Sequence, residues 1–155
     1  EKLNIKKTIE NILNSLKTKL DEKNIKIKKD LPDEIPLIKA DNMNIKRVLI
    51  NLLENAITHS PENSFIIIRG KIIENEIKIS IIDEGPGIPE NKLNEIWNRF
   101  YKIDKARTRK DTDDSGSGLG LSIVKSIIQQ HGGRVQATNT ENKGAKFSFY
   151  LKIKD

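Results

Sequence analysis

The chain has 155 residues, a mass of 17.6 kDa and a formal net charge of +6, which fits one domain that buries its own core. With 0 Cys and 2 His, it offers no disulfide framework, thiolate metal site or zinc-enzyme ligand set. No apolar run approaches the roughly 18 residues that span a membrane, and no signal peptide opens the chain. Since the first residue is Glu1, we expect a piece of a longer protein.

Apolar spacing predicts the secondary structure in chain order. Apolar residues three and four apart predict helices, and alternating ones predict strands. Asp41 or Asn42 is suited to cap the second helix, Pro61 to stop it, and Gly132-Gly133 to end the last one. The predicted elements are a helix over 4–20, a strand over 25–28, a helix over 42–60, strands over 64–73 and 76–83, a short helix over 89–100, a loop over 101–118, a helix over 119–131, and strands over 134–139 and 145–153.

The last strand predicts how the layers stack. Phe147, Phe149, Leu151 and Ile153 alternate with mostly polar neighbours, so one face of the sheet is expected to be apolar and the other wet. A sheet of this kind carries helices on one side only, whereas a Rossmann sheet is buried on both faces.

The positive charge is concentrated between Arg99 and Lys110, which we interpret as a local loop feature. The remaining lysines are scattered along the sequence and aromatic residues are few. We therefore do not expect a nucleic-acid-binding domain.

The predicted helix over 42–60 is apolar around most of its circumference. Asn51 and Asn55 are four residues apart on its narrow polar stripe, so their amides share one edge. Because a buried amide without a partner is destabilising, the pair indicates a polar ligand. An exposed polar stripe explains the same pattern equally well.

Asp83 ends a predicted strand. By strand alternation its side chain points to the same apolar face as the isoleucines of that strand. The segment Gly85-Pro86-Gly87-Ile88-Pro89 comes directly after it, where backbone can approach a ligand closely. A carboxylate at the edge of an apolar pocket can accept a hydrogen bond from a flat ring. From strand alternation alone, the simpler interpretation is that Asp83 only begins a turn.

Glycines precede the last predicted helix, in the segment Gly116-Ser117-Gly118-Leu119-Gly120-Leu121. Glycines before a helix allow backbone N–H groups to converge on a phosphate. The Lys-Ser/Thr of a Walker loop is missing, and Leu121 stands where a dinucleotide fingerprint has Gly. A glycine-rich linker therefore remains an alternative.

Four segments in this order resemble the catalytic ATP-binding domain of bacterial sensor histidine kinases, within the superfamily that includes gyrase B, Hsp90 and MutL. They are Asn51–Ala56, Asp83–Pro89, Ile96–Tyr101 and the glycine segment from Gly116, and the resemblance extends over nearly the whole chain. It implies the Bergerat fold, an α/β sandwich in which a mixed, mostly antiparallel sheet of about five strands carries three main helices on one face.

The resemblance also implies roles for individual residues. Asp83 would accept a hydrogen bond from the adenine amino group, while Gly85 and Gly87 let the chain pass close to the base. Asn55 would ligate Mg²⁺, assisted by Asn51. The further residues expected to bind nucleotide are Ile88, Tyr101, Lys102, Gly116, Gly118, Leu119, Gly120, Leu121 and Phe147.

Catalytic roles are implied for Asn55, for Lys102 on an ATP lid over 101–118, and for Glu54 as a group that orients the nucleophile. A solvated helix acid is the alternative for Glu54. The sequence departs from the family at Thr58, where relatives often carry Lys or Arg, at Trp97 and at Asn142.

The expected activity is transfer of the ATP γ-phosphate to a histidine on an upstream helical domain of the same protein, joined through residues 1–4. His59 precedes Ser60-Pro61 and His131 precedes Gly132-Gly133, so neither resembles the phosphoacceptor. The resemblance implies a homodimeric kinase anchored in the inner membrane, with this domain on the cytoplasmic side, and a response regulator as partner. The isolated fragment is expected to be soluble and monomeric.

Three other functions share part of these motifs. A gyrase-type ATP hydrolase is disfavoured by the aromatic Ile96–Tyr101 segment. A serine kinase of the anti-sigma-factor type is a closer competitor because it shares the glycine segments, but it usually lacks that aromatic segment. A nucleotide sensor without activity is disfavoured because both Asn55 and Asp83 are present.

Overall fold

The computed structural model describes residues 1–98 and 120–153. The helices are α1 (Ile5–Ser15), α2 (Lys17–Glu22), α3 (Asn42–His59) and α4 (Gly120–Gln130), with a 3₁₀ turn at Glu90–Lys92. The strands are β1 (Lys2–Leu3), β2 (Lys26–Asp30), β3 (Ile38–Lys39), β4 (Phe65–Ile73), β5 (Glu76–Ile82), β6 (Arg134–Asn139) and β7 (Ala145–Lys152).

Five strands form the main sheet in the order β2-β4-β5-β7-β6. The pair β2–β4 is parallel, and the other three neighbouring pairs are antiparallel. Alternate residues of these strands enter one core together with the apolar sides of α1, α3 and α4. The expected two-layer sandwich, with a mixed sheet and three main helices on one face, is confirmed.

The N-terminal part differs from the prediction in two respects. The single helix expected over 4–20 is divided at Leu16, whose N–H is shared between the carbonyls of Ile12 and Leu13. The apolar spacing continues across this break, because Leu16 and Leu20 are both buried, so the pattern alone did not reveal it. Strands β1 and β3 pair as a separate ribbon, and at two residues each they are too short to show alternation.

The short helix expected over 89–100 is wrong in the part that the structure describes. After Pro89 the chain makes i→i+3 hydrogen bonds, at Lys92 N–H to Pro89 O and at Glu95 N–H to Lys92 O. A 3₁₀ turn and further tight turns therefore replace an α-helix. Ile96 and Trp97 are nevertheless buried, as their apolar character requires.

Helices α3 and α4 begin and end within one residue of their predicted bounds. Asp41 caps α3, because its side chain accepts a hydrogen bond from Asn44 N–H at 3.1 Å. Helix α4 ends in a left-handed Gly132 with φ +75°, and Gly133 N–H bonds back to Ile128 O. This is the Schellman arrangement, which favours glycine.

The outer face of the sheet is only partly wet. Ser80 and Ser148 are each 2% exposed there, and Tyr150 is 9% exposed. Long cationic side chains lie over Tyr150. The outer face of the sheet is therefore polar, but its floor is covered by these side chains rather than exposed to water. Among the described residues, no helix combines the length and apolar character needed to cross a membrane.

Candidate functional site

Asp83 lies just beyond the end of β5 and is held from two sides. Its Oδ1 accepts hydrogen bonds from Gly85 N–H at 2.8 Å and from Ala145 N–H at 3.2 Å. The residue is 3% exposed, as its inward parity predicts. Oδ2 receives no hydrogen bond from the described residues, so one carboxylate oxygen remains available for a ligand.

The environment shifts the pKa of two neighbouring groups. Burial raises the pKa of the Asp83 carboxyl, although the Gly85 and Ala145 N–H groups and the nearby His59 oppose this. Burial lowers the pKa of His59, while Asp83 acts in the opposite direction and Lys23 adds to the lowering. Burial therefore disfavours both the ionised form of Asp83 and the protonated form of His59.

Close backbone contacts explain three glycines around Asp83. A Cβ at Gly85 would lie 2.4 Å from His59 O, and a Cβ at Gly144 would lie 1.9 Å from Asp83 O. Gly87 combines a φ of +79° with a Cβ position 2.3 Å from Lys143 O. A side chain at any of these positions would push apart the segments that surround the pocket.

Asn139, the last residue of β6, fixes the loop that follows Asp83. Its Oδ1 accepts from Ile88 N–H at 2.8 Å and its Nδ2 donates to Ile88 O at 2.7 Å. Sequence analysis missed Asn139, since an Asn at the end of a strand is an ordinary turn residue. It also missed Gly144 as a site residue, although the close approach of backbone to Asp83 depends on it.

A small, narrow cavity lies between α3, the Gly85–Pro89 loop and β7. The lining contains the predicted Asn55, Asp83, Gly87, Ile88 and Phe147, so the structure brings these five together. The lining residues are Asn55, His59, Asp83, Pro86, Gly87, Ile88, Ala145 and Phe147. Sequence analysis did not place His59 in this cavity, although its position one turn after Asn55 was the available signal.

The two asparagines of α3 have different surroundings. Asn51 Nδ2 donates to Gly120 O at 3.3 Å, which ties α3 to the first residue of α4. Asn55 Nδ2 is buried and has no hydrogen-bond partner among the described residues. A buried amide without a partner is rare, and here it faces the cavity that also contains Asp83.

The donor set around Asn55 fits Mg²⁺. No group of three or more His, Cys, Asp or Glu residues gathers in the described ranges in a way that suits a metal cage. Mg²⁺ is commonly bound by one or two protein oxygens together with phosphates and waters. The Asn55 amide supplies such an oxygen in Oδ1, whereas its Nδ2, which lacks a partner among the described residues, is a hydrogen-bond donor and is available to an acceptor rather than to the metal.

The other predicted residues lie at the margin of this site or outside the described residues. Glu54 is bound by Lys19 of α2 at 2.8 Å and does not line the cavity, so its catalytic role remains a prediction. Leu121 is half-buried on the first turn of α4, and the Phe147 ring makes an edge contact with Trp97, with ring centroids 5.8 Å apart. The remaining predictions fall outside the described residues; they are Tyr101, Lys102, Gly116, Gly118, Leu119 and the lid over 101–118.

Both ring nitrogens of His131, at the end of α4, have hydrogen-bond partners. Its Nε2 accepts a hydrogen bond from Asp41 N–H at 3.1 Å, and its Nδ1 lies 2.8 Å from Ile127 O. With Nε2 accepting, Nδ1 is the nitrogen that donates to Ile127 O. The imidazole therefore links the N-cap of α3 to the end of α4.

A family model described as "Histidine kinase-, DNA gyrase B-, and HSP90-like ATPase" matches residues 40–155. The chain belongs to this family. The match covers α3, the Asp83 loop and β7, which line the cavity, and also α4 and β6.

Curated relatives of this ATPase domain are sensor kinases. The chain is 38% identical to sensor histidine kinase WalK of Bacillus subtilis over 136 residues, which is 86% of the chain and 22% of that protein. It is 36% identical to adaptive-response sensory kinase SasA of Gloeothece citriformis over 145 residues, which is 92% of the chain and 35% of that protein. The chain thus spans about a third or less of these relatives.

Solved structures agree with this assignment. The catalytic domain of histidine kinase ThkA superimposes with a TM-score of 0.86 and 31% identity, covering 99% of the chain and 97% of that domain. ThkA in complex with the response regulator TrrA matches with a TM-score of 0.83 and 30% identity, over 99% of this chain and 42% of the ThkA chain. This ATPase domain therefore has the fold and sequence of the catalytic domain of a sensor histidine kinase.

Proposed function

We propose that this domain binds ATP with Mg²⁺ and supplies the γ-phosphate to a histidine on an upstream helical domain of the same protein. The observation that carries this proposal is the Asp83 carboxylate. Two backbone N–H groups fix Oδ1, while Oδ2 is left for a donor in an otherwise mostly apolar cavity. This arrangement suits the exocyclic amino group of adenine.

The chain's own residues position the nucleotide in this proposal. Asp83 and the Gly85–Ile88 loop hold the base, and Asn139 keeps that loop in place. Asn55 and Asn51 would hold Mg²⁺, which when bound neutralises charge on the phosphates. The amides of Gly120 and Leu121 lie at the N-terminus of α4, where a phosphate is favoured. Lys102, Tyr101 and the glycines from Gly116 complete the proposed phosphate site.

The wider assembly is part of the same proposal. The relatives named as sensor kinases are longer than this chain, and the ThkA structure includes a response regulator. We therefore infer a homodimeric membrane-anchored kinase with this domain on its cytoplasmic side and a response regulator as phosphate acceptor.

Binding of ATP to two variants tests the site. Asp83→Asn removes the charge from the acceptor, and a hydrogen bond to a charged group contributes about 1.5–3 kcal/mol, so affinity should fall roughly 10- to 150-fold. Asn55→Ala should lose most of the enhancement that Mg²⁺ gives to ATP binding, while metal-free binding changes less. Calorimetry with and without Mg²⁺ measures both effects. Unchanged affinity in folded Asp83→Asn protein would remove Asp83 from the adenine role.

Phosphate transfer is tested with labelled ATP. The 155-residue chain alone should remain unlabelled, because neither His59 nor His131 is placed as an acceptor: one lines the cavity and the other is engaged at both ring nitrogens. Adding the helical domain in trans should give acid-labile label on that domain. Stoichiometric label on His59 or His131 would contradict the proposal.

A further inference from the structure

Cations that are far apart in the sequence meet on the outer face of the sheet. They lie at outward positions of four neighbouring strands, and we call them together the basic face. Its members are Arg69 and Lys71 on β4, Lys78 on β5, Lys146 on β7 and Arg134 on β6. Sequence analysis treated the lysines outside 99–110 as scattered; the strand order brings these five residues onto one surface.

Acidic side chains neutralise only part of the basic face. Asp30 pairs with Arg69 at 2.8 Å, and Glu76 pairs with Arg134 at 3.0 Å. Within the two described ranges, no acid forms an ion pair with Lys71, Lys78 or Lys146. Three positive charges therefore remain uncompensated at the middle of the sheet.

The arrangement of these lysines works against folding. Lys71 and Lys78 are direct cross-strand partners in the β4–β5 register, where like charges are destabilising. Burial lowers the pKa of Lys146, and the positive charges of Lys78, Arg69 and Lys71 lower it further. Violations of a local stability rule are expected at functional surfaces, where another benefit compensates for them.

The surface beneath the lysines limits what can bind. Ser80 and Ser148 share a hydrogen bond of 2.8 Å and are almost completely buried. The Tyr150 ring is covered by Lys78 at 5.5 Å and by Arg134 at 3.8 Å, so it offers no face on which a nucleobase could stack. Between the cations, the apolar side chains are covered, since Ile82 and Tyr150 are each 9% exposed, whereas Phe65 and Ile73 at the two ends of β4 are each 37% exposed.

We propose that the basic face docks an acidic segment of a partner protein through Lys71, Lys78 and Lys146. Neighbouring strands are about 4.8 Å apart, and acidic side chains three or four residues apart on a helix are spaced by about 5–6 Å. Two such carboxylates therefore match the cross-strand pair Lys71 and Lys78, while Lys146, opposite Ile82, lies four residues farther along the sheet and would meet a later part of the same acidic segment. Charge complementarity with the three lysines that no described acid pairs, and a Tyr150 ring that is covered rather than open to a base, favour an acidic protein segment as the occupant.

Poly-L-glutamate of about 20 residues serves as the probe, titrated at two salt concentrations. The triple variant Lys71→Gln, Lys78→Gln, Lys146→Gln should bind at least about 10-fold more weakly, since three ion pairs are lost. The matched control Lys2→Gln, Lys7→Gln, Lys17→Gln removes the same charge from exposed positions elsewhere and should change the affinity by less than about 3-fold. In the wild-type chain, amide shifts should map to β4, β5 and β7.

The thermal midpoint of the triple variant should be equal to or above that of the wild type, because repulsion between the lysines is relieved. Equal loss of affinity in both triple variants would show that binding follows net charge, and would overturn the proposal. Binding of anionic vesicles or duplex DNA through these lysines, without binding of polyglutamate, would overturn the protein partner.

Discussion

The Asn139 side chain and the Ile88 backbone form a closed pair of hydrogen bonds, 2.8 Å from Ile88 N–H to Oδ1 and 2.7 Å from Nδ2 to Ile88 O. This pair joins the end of β6 to the loop after Asp83, two elements that are distant in sequence. It positions Ile88, which is 4% exposed and lines the cavity. The loop is thus held by a side chain that belongs to no recognised nucleotide motif of the sequence.

Asn139→Ala should lower both stability and nucleotide affinity. The change leaves two backbone groups of Ile88 without partners, at a cost of about 1–3 kcal/mol in the free energy of unfolding. ATP affinity should fall because the loop loses its fixed position. Urea unfolding and calorimetry measure the two effects. Asn139→Asp keeps the acceptor for Ile88 N–H but places a second oxygen against Ile88 O, so it should not restore the wild-type stability. Wild-type stability and ATP affinity in Asn139→Ala would contradict the role.

Asp83→Asn should change how stability depends on pH. Burial raises the folded-state pKa of Asp83, so across the range above its usual value of 3.8 the folded state binds more protons than the unfolded state. Stability contributed by this group is therefore present at low pH and is lost as pH rises through that range. Asp83→Asn lacks this loss and should be at least as stable as the wild type at pH 7. Thermal unfolding of both proteins from pH 4 to 7 tests this. The prediction is refuted if the stability of the variant relative to the wild type falls between pH 4 and pH 7.

The parts of the fold that the sequence predicts are those with a long apolar period. Helix α3 and the β4–β5 hairpin have such a period. Asp83 continues the alternation of β5, and its side chain is therefore buried. The break at Leu16 and the β1–β3 ribbon have no period long enough to detect. Tertiary contacts such as Asn139 with Ile88 depend on which strands become neighbours. The basic face is invisible for the same reason, because its residues meet only through the strand order.

His59→Gln should remove a loss of stability at mildly acidic pH. Burial lowers the pKa of His59 from its usual 6.5, with Asp83 opposing and Lys23 reinforcing the shift. Below pH 6.5 the unfolded state therefore binds the proton more readily, so stability falls as pH decreases through that range. The wild type should lose stability between pH 7 and 5.5 relative to His59→Gln. The difference between their unfolding free energies at the two pH values is the test, and a difference that stays constant would exclude this contribution.

Lys23→Met should destabilise the C-terminal end of α3. Lys23 Nζ donates to three carbonyls there, those of Ile57 at 2.8 Å, Thr58 at 3.1 Å and Ser60 at 2.8 Å. A cation at this end also interacts favourably with the helix dipole. We expect a loss of about 1–3 kcal/mol in unfolding free energy, together with weaker ATP binding because His59 lies in the segment that Lys23 secures.

Lys17→Met provides the matched control for Lys23→Met, since Lys17 pairs with Asp21 at 3.0 Å and both side chains are largely exposed. An exposed pair contributes about 0–1 kcal/mol, so this variant should remain close to the wild type in stability and in ATP affinity. Lys23→Arg should recover part of both properties, because a guanidinium can still donate to the helix carbonyls. If Lys23→Met and Lys17→Met lose equal stability, the three carbonyl contacts do not stabilise the helix end. If Lys23→Met loses stability but keeps full ATP affinity, the helix end is stabilised without positioning His59.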